Sequence, residues 1–487
     1  MNQHELIEKA SREVAQNKNT VESDPYRLQF HIMPPVGLLN DPNGFIQFEG
    51  VYHLFYQWNP FETSHGSKFW GHYTSTDLIN WEMKPIALAP SEWFEKNGCY
   101  SGSAVEHEGK MVLFYTGNVK DENDNRETYQ CMAISDDGIT FEKKGPVIHL
   151  PEGYTAHFRD PKVWKKDDTW YMVLGAQSVD EQGKVVLYSS SDLKTWNFHG
   201  DITGSEMNGL GSFGYMWECP DMFELDGKDV MLVSPQGLEP EGDLYQNLFQ
   251  AGYFVGKLSY DTPFYKHGTF TELDRGFDFY APQTTVDEKG RRLLFAWMGI
   301  TDENEKYQPT IKKGWIHAMT LPRVLSLKGE QVYQQPVEEL QQMRKDEVSY
   351  DDVQIRTIDV TLKGIEGTSL ELLLEEIQCE NGSFEIRFRG DARFIFSEKE
   401  QKMSLYRKSF KDGSLESRHC QIDEINKLQI FLDTSSVEIF VNDGAEVFTA
   451  RYYPEVENES ITFSADTMVH FQLKKWNLEH SKLNKGK

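Results

Sequence analysis

The apolar positions of this chain come in short runs rather than long helical stripes. "YHLFYQ" from Tyr52, "MVLFYT" from Met111, "WYMVLG" from Trp170, "VMLVSP" from Val230 and "RLLFAW" from Arg292 are each of strand length and rich in aromatic and branched side chains. Their starts lie 59, 59, 60 and 62 residues apart. A second motif keeps the same beat, with "STDLINWE" from Ser75, "SDDGITFEK" from Ser135 and "SSDLKTWNF" from Ser190. Short strands and Gly/Asp/Asn turns repeating at this period predict a propeller with about four strands per blade. Five copies predict five blades over residues 27–330.

One phase of the repeat carries the candidate chemistry. Four units place a proline nine or ten residues ahead of the core strand: Pro42, Pro161, Pro220 and Pro282. The second unit has "YSGSA" at that place. Proline cannot donate to a strand ladder, so it belongs on an edge, and the innermost strand of a blade is an edge facing the central channel. Asp41 and Asp160 each precede one of these prolines, and Glu218 stands two before Pro220. Three carboxylates from three blades are therefore expected to converge on one funnel.

Beyond residue 330 the pattern changes. "QQPVEELQQMRKDEV" has helical spacing and predicts a helical linker over 331–346. Alternating runs such as "SFEIRFRG" and "KLQIFLDTSSVEIFVNDG" then predict an antiparallel β-sandwich over 347–487, with the tail "EHSKLNKGK" frayed. Its plain role is packing against the propeller, and a sugar-binding surface is the alternative. Residues 1–26 read as an exposed amphipathic helical extension. The expected fold is all-β, a five-bladed β-propeller followed by a C-terminal antiparallel β-sandwich.

Composition narrows the partners. With 77 acidic and 50 basic side chains the formal net charge is −27, which repels nucleic acid and anionic membranes. No apolar run approaches the length of a membrane span, and the first twenty residues lack a signal-peptide core. Five scattered cysteines suit a reducing compartment. These features predict a cytoplasmic protein, monomer or homodimer, that acts on a small molecule. No metal-ligand spacing occurs among the histidines and cysteines, so no metal and no cofactor are expected. The acidic "DENDNRET" at 121–128 lacks the spacing of a calcium loop and reads as a solvated turn.

Facing carboxylates with divergent pKa values are what glycoside hydrolysis needs. One protonates the leaving oxygen, and the other attacks the anomeric carbon or activates water. Asp41, flanked by Asn40 and Asn43, is expected to stay ionised. Glu218, between Trp217 and Cys219, is expected to have a raised pKa suited to the acid. Asp160, beside Arg159, is expected to stay ionised and to support positive charge on the sugar ring. Cys219 reads as packing rather than a nucleophile, and Glu438 in "DTSSVEIFVNDG" as structural.

The motifs "LLNDPNGF", "YQWNP", "FWGHYTSTDLINW", "CYSGSA", "FRDPKVW", "WECPDMF" and "FYAPQ" occur in the order found in the invertases and fructan hydrolases. The chain resembles that retaining glycoside hydrolase family over nearly its whole length. "HIMPPVGLLNDPNG", "HGSKFWGHY", "GYTAHFRDPKVW" and "FGYMWECPD" are most similar to its bacterial members that act on sucrose 6-phosphate. The resemblance implies Asp41 as nucleophile, Glu218 as acid and base, and Asp160 as transition-state stabiliser. It also implies a fructose subsite drawn from Leu39, Asn40, Gln57, Trp70, Ser101, Gly102, Arg159, Tyr280 and Trp297. The implied reaction is hydrolysis of sucrose 6-phosphate and of sucrose at the fructofuranosyl side, with retention. The alternatives are a β-fructofuranosidase or exo-fructanase without phosphate preference, an inverting propeller glycosidase, and a non-catalytic sugar-binding propeller. Leu38 stands where many relatives carry tryptophan, which removes a ring from the subsite. For a phosphate, His65 and Lys68 on the loop "ETSHGSKFW" are the candidate contacts, Lys68 as a point charge.

Overall fold

The computed structural model describes residues 1–123 and 125–479. The tail from 480 and Asp124 of the acidic turn lie outside the described residues. Helix Gln3–Glu22 opens on a reciprocal cap, in which the Asn2 side chain accepts from the Glu5 amide and the Glu5 carboxylate from the Asn2 amide. It is not free in solvent. Leu6, Ala10 and Val21 are buried in the same apolar cluster as the first and last blades.

Five antiparallel sheets follow. Their inner strands are Gly37–Phe48, Cys99–His107, Tyr154–Lys166, Met216–Leu225 and Tyr280–Val286. Each inner strand packs against the next and the fifth returns to the first, which closes the ring. A short segment, Trp315–Ile316, pairs in parallel with Gly37 and Leu38, so late chain latches onto the first blade.

The linker prediction fails. Gln331–Pro336 is the outer strand of the fifth blade, paired with Arg323–Lys328. Only Glu338–Met343 is helical, as a short 3₁₀ segment, and a strand begins at Arg344. The run had helical spacing, but its first half completes a sheet whose edge would otherwise lack a partner.

The C-terminal part is a sandwich of a six-stranded and a five-stranded sheet, running from Arg344 to Leu478. Its aliphatic and phenylalanine core is separate from that of the blades.

All five inner strands break register at the same phase. The breaks lie between Leu39 and Pro42, between Tyr100 and Gly102, opposite the stretch from Arg159 to Lys162, between Glu218 and Asp221, and between Tyr280 and Gln283. A bulge kinks its strand and re-aims the side chains around it. Asp160, Cys219 and Ala281 adopt left-handed backbone at these bulges, with φ of 67°, 48° and 49°. Strain of this kind persists where the surrounding sheet over-determines it.

Candidate active site

The bulges open onto a cavity of about 560 Å³ at one end of the channel. Small-molecule sites commonly occupy ~300–1,000 Å³. Asp41, Asp160 and Glu218 all line it.

Each carboxylate has a different set of partners. Asp41 accepts from the Ser101 hydroxyl at 2.5 Å and from the Asn40 amide at 3.1 Å. Gln57 donates to Ser101 at 3.0 Å and so fixes that hydroxyl. Glu218 Oε1 accepts from Arg159 Nε at 3.0 Å and Nη2 at 2.6 Å. Its Oε2 accepts from Tyr280 and Gln236, both at 2.6 Å. Asp160 is buried and accepts from the Cys219 backbone amide at 2.9 Å.

The resulting electrostatics correct the sequence reading. Burial pushes Asp41 above the ordinary aspartate value, with the Ser101 hydrogen bond opposing and the Glu218 charge adding. Burial raises Asp160 to about 7, with the Arg159 charge opposing and the Glu218 and Asp41 charges adding. Burial also acts on Glu218, but the Arg159 charge and the Tyr280 and Arg159 hydrogen bonds win, so its pKa is lowered rather than raised. The reason is geometric. Arg159 spends its fork on Glu218 in the next blade rather than on its chain neighbour Asp160. Cys219 Sγ lies 3.8 Å from Asp41 and 3.6 Å from Asp160, and burial among these carboxylates keeps it a thiol.

Asn40, Gln57, Ser101, Arg159, Tyr280 and Trp297 line the cavity with the carboxylates, as do His65 and Lys68. Three predicted residues do not. Leu39 is 0% exposed within the apolar core. Trp70 is also fully buried, its indole N–H spent on the Tyr100 carbonyl. Gly102 lies beneath the cavity, where an added Cβ would fall 1.9 Å from the Phe114 carbonyl oxygen. These residues support the wall from behind. Lys68 is 4% exposed rather than a solvated loop cation. Burial pulls it down to about 7, against the Asp41 and Glu305 charges. His65 bridges Lys68 at 3.2 Å and Glu305 at 3.0 Å.

Sequence reasoning missed Tyr100, Asn118, Lys120, Arg126, Gln236 and Phe249 on the wall. Arg126 lies within the stretch 121–128 read as a solvated turn. Gln236 ends the second strand of its blade, directly opposite Met216, and the repeat phase alone would have flagged it.

Residues 31–336 match the Glycosyl hydrolases family 32 N-terminal domain, and residues 339–477 match Glycosyl hydrolases family 32 C terminal. The chain belongs to glycosyl hydrolase family 32. Among its family 32 relatives, a sucrose-6-phosphate hydrolase of Bacillus subtilis (strain 168) is 54% identical over 97% of this chain and 98% of that protein. One of Klebsiella pneumoniae is 43% identical over 94% and 95%. Among solved structures, the sucrose-6-phosphate hydrolase of Lactobacillus gasseri superposes with a TM-score of 0.87 at 31% identity, covering 96% of each chain. A Bombyx mori GH32 beta-fructofuranosidase mutant in complex with sucrose gives 0.85 at 35%, covering 97% of this chain and 98% of that one.

Proposed function

We propose that this family 32 enzyme hydrolyses sucrose 6-phosphate, and sucrose itself less efficiently, at the fructofuranosyl side with retention. The observation that carries the reaction is the division of labour among three carboxylates from three blades. The phosphate preference rests on the 54% identity to a sucrose-6-phosphate hydrolase.

Asp41 attacks the anomeric carbon of the fructosyl unit, and its oxygen–carbon bond forms as the bond to the bridging oxygen breaks. Glu218 delivers a proton to that oxygen, so the glucosyl product leaves as a neutral alcohol. Water then attacks the fructosyl ester, Glu218 takes a proton from it, and Asp41 leaves as a carboxylate. Tyr280, Gln236 and Arg159 hold Glu218 in place through both halves.

Before substrate binds, Asp160 holds a proton more readily than Glu218 does. Fructose hydroxyls donating to Asp160 favour its ionised form, which leaves the proton for Glu218. An ionised Asp160 then faces the positive charge that develops on the ring.

The test is kcat/KM for sucrose 6-phosphate and sucrose, measured side by side on purified protein. A preference above tenfold is expected, equivalent to about 1.4 kcal/mol or more of differential transition-state binding. Parity would leave a β-fructofuranosidase without phosphate selectivity, and activity on inulin or levan would move the reading to an exo-fructanase.

A further inference from the structure

Five basic side chains line the cavity: His65, Lys68, Lys120, Arg126 and Arg159. Their commitments differ. Arg159 is spent on Glu218, and His65 on Glu305 and Lys68. Lys68 is buried on the nucleophile's side, where it feels the Asp41 charge. It is 4% exposed and its ammonium contacts His65 at 3.2 Å, so it is less open to a phosphate than a cation on the rim.

Arg126 is placed differently. It begins the strand Arg126–Ser135, at the foot of the hairpin that follows Lys110–Lys120 in the second blade. Its guanidinium lies over the Tyr100 ring, 6.0 Å from the centroid, and Tyr100 itself lines the cavity. Lys120 ends the partner strand directly opposite, with its backbone amide fixed by Asn97 at 2.8 Å.

The side of the cavity decides the assignment. His157 contacts Arg159 at 2.9 Å, and Arg159 holds Glu218. Thr128, two residues along the strand that Arg126 begins, donates to the carbonyl of Phe158, the neighbour of Arg159, at 2.9 Å. Arg126 therefore stands on the side of the acid, and the acid faces the leaving group. In sucrose 6-phosphate the phosphate belongs to the leaving glucosyl unit, not to the fructosyl unit retained on Asp41.

We propose that Arg126, with Lys120 opposite it, recognises the phosphate of the leaving sugar, and that Lys68 does not. This rests on the sugar-phosphate reading of the site. A guanidinium presents a planar fork matched to two phosphate oxygens, and its seat on the Tyr100 ring orients that fork. The assignment also accounts for how a chain of net charge −27 admits an anionic substrate. The surface repels anions, but basic side chains line the cavity itself.

The experiment compares the ratio of kcat/KM for sucrose 6-phosphate to that for sucrose in wild type, Arg126→Ala, Arg126→Lys and Lys68→Ala. Inhibition by glucose 6-phosphate, the expected phosphorylated product, is measured on each. The ratio is expected to fall at least tenfold in Arg126→Ala and to recover in part in Arg126→Lys. Inhibition by glucose 6-phosphate weakens in parallel, and Arg126→Gln carries the same expectation if the alanine variant does not fold. A wild-type ratio preserved in Arg126→Ala, or a selective loss confined to Lys68→Ala, overturns the assignment alone. A wild-type ratio near one overturns the sugar-phosphate reading and the assignment with it.

Discussion

At the scale of single residues, the proposed reaction requires one proton shared among three carboxylates. In the proposed reaction Asp41 is ionised when it attacks, and Glu218 is protonated when it releases the glucosyl oxygen. In the free enzyme Asp160 binds that proton, with a pKa of about 7 set by burial and by the facing charges. The pH profile of kcat/KM reports the free enzyme, and coupled groups titrate as a set. An alkaline limb is therefore expected near pH 7, as the trio loses its only proton. An acid limb is expected above the ordinary aspartate value, because the Asp41 pKa is raised. Glu218→Gln keeps an oxygen for Arg159 but cannot deliver a proton, so its kcat should fall by roughly 10²–10⁴. A wild-type profile flat to pH 9 would show that the activating proton is not held in this trio. The three acids were legible in the sequence because each stands at one phase of the repeat. Their protonation was not, because it depends on which carboxylate Arg159 reaches across a blade boundary.

At the scale of elements, the bulged inner strand is the device that turns a repeat into a site. Its contacts follow the period. Ser101 reaches Asp41 across 60 positions, and Arg159 reaches Glu218 across 59. Lys162 pairs with Asp221 across 59, and the Gly102 amide donates to Asn43 across 59. Residues one repeat apart are thus neighbours across blades, a register the sequence contains but adjacency along the chain conceals. Burial was harder to foresee. Leu39 and Gly102 on bulged inner strands, and Trp70 on the regular strand Phe69–Ser75, sit in site motifs yet are turned away from the cavity. Gly102 is required by close approach, since a side chain there meets the backbone of Phe114 and Tyr115. Gly102→Ala should cost about 1–3 kcal/mol or more and lower the melting temperature, because the second blade must open to admit a methyl group. Ser101 would shift with it, so activity should fall as well. An unchanged melting temperature would mean that the inner strand has slack, contrary to the close approach described here.

At the scale of the whole molecule, the propeller and the sandwich are joined by buried charge rather than by apolar surface alone. Glu438, on the sandwich strand Ser436–Val441, accepts from Arg323 of the fifth blade at 2.6 Å and pairs with His31 at 3.0 Å. His31 also pairs with Asp433 at 2.8 Å, and Arg323 with Asp274 at 3.2 Å. Removing one partner of such a network leaves another charge buried and uncompensated, which is why it resists piecemeal change. Burial alone would depress the His31 imidazole, but the hydrogen bonds to Asp433 and Glu438 outweigh it and its pKa is raised. Unfolded histidine titrates near ~6.5, so the folded protein binds this proton more tightly than the unfolded chain. That stabilisation is complete below ~6.5 and is lost as pH rises through the higher folded value. Asp433 and Glu438 are shifted the other way, since the His31 and Arg323 contacts outweigh their burial. Their contribution is present above the ordinary carboxylate range and is lost as pH falls through their lowered values. The joint between the two parts is therefore strongest in mild acid. The contribution of His31 to the melting temperature should decline from pH 6 toward pH 9. In His31→Gln, which keeps a hydrogen-bonding side chain but has no proton to lose, the melting temperature should be lower at pH 6 and the decline should largely vanish. A decline of equal slope in the variant would place the titrating group elsewhere and leave His31 as packing.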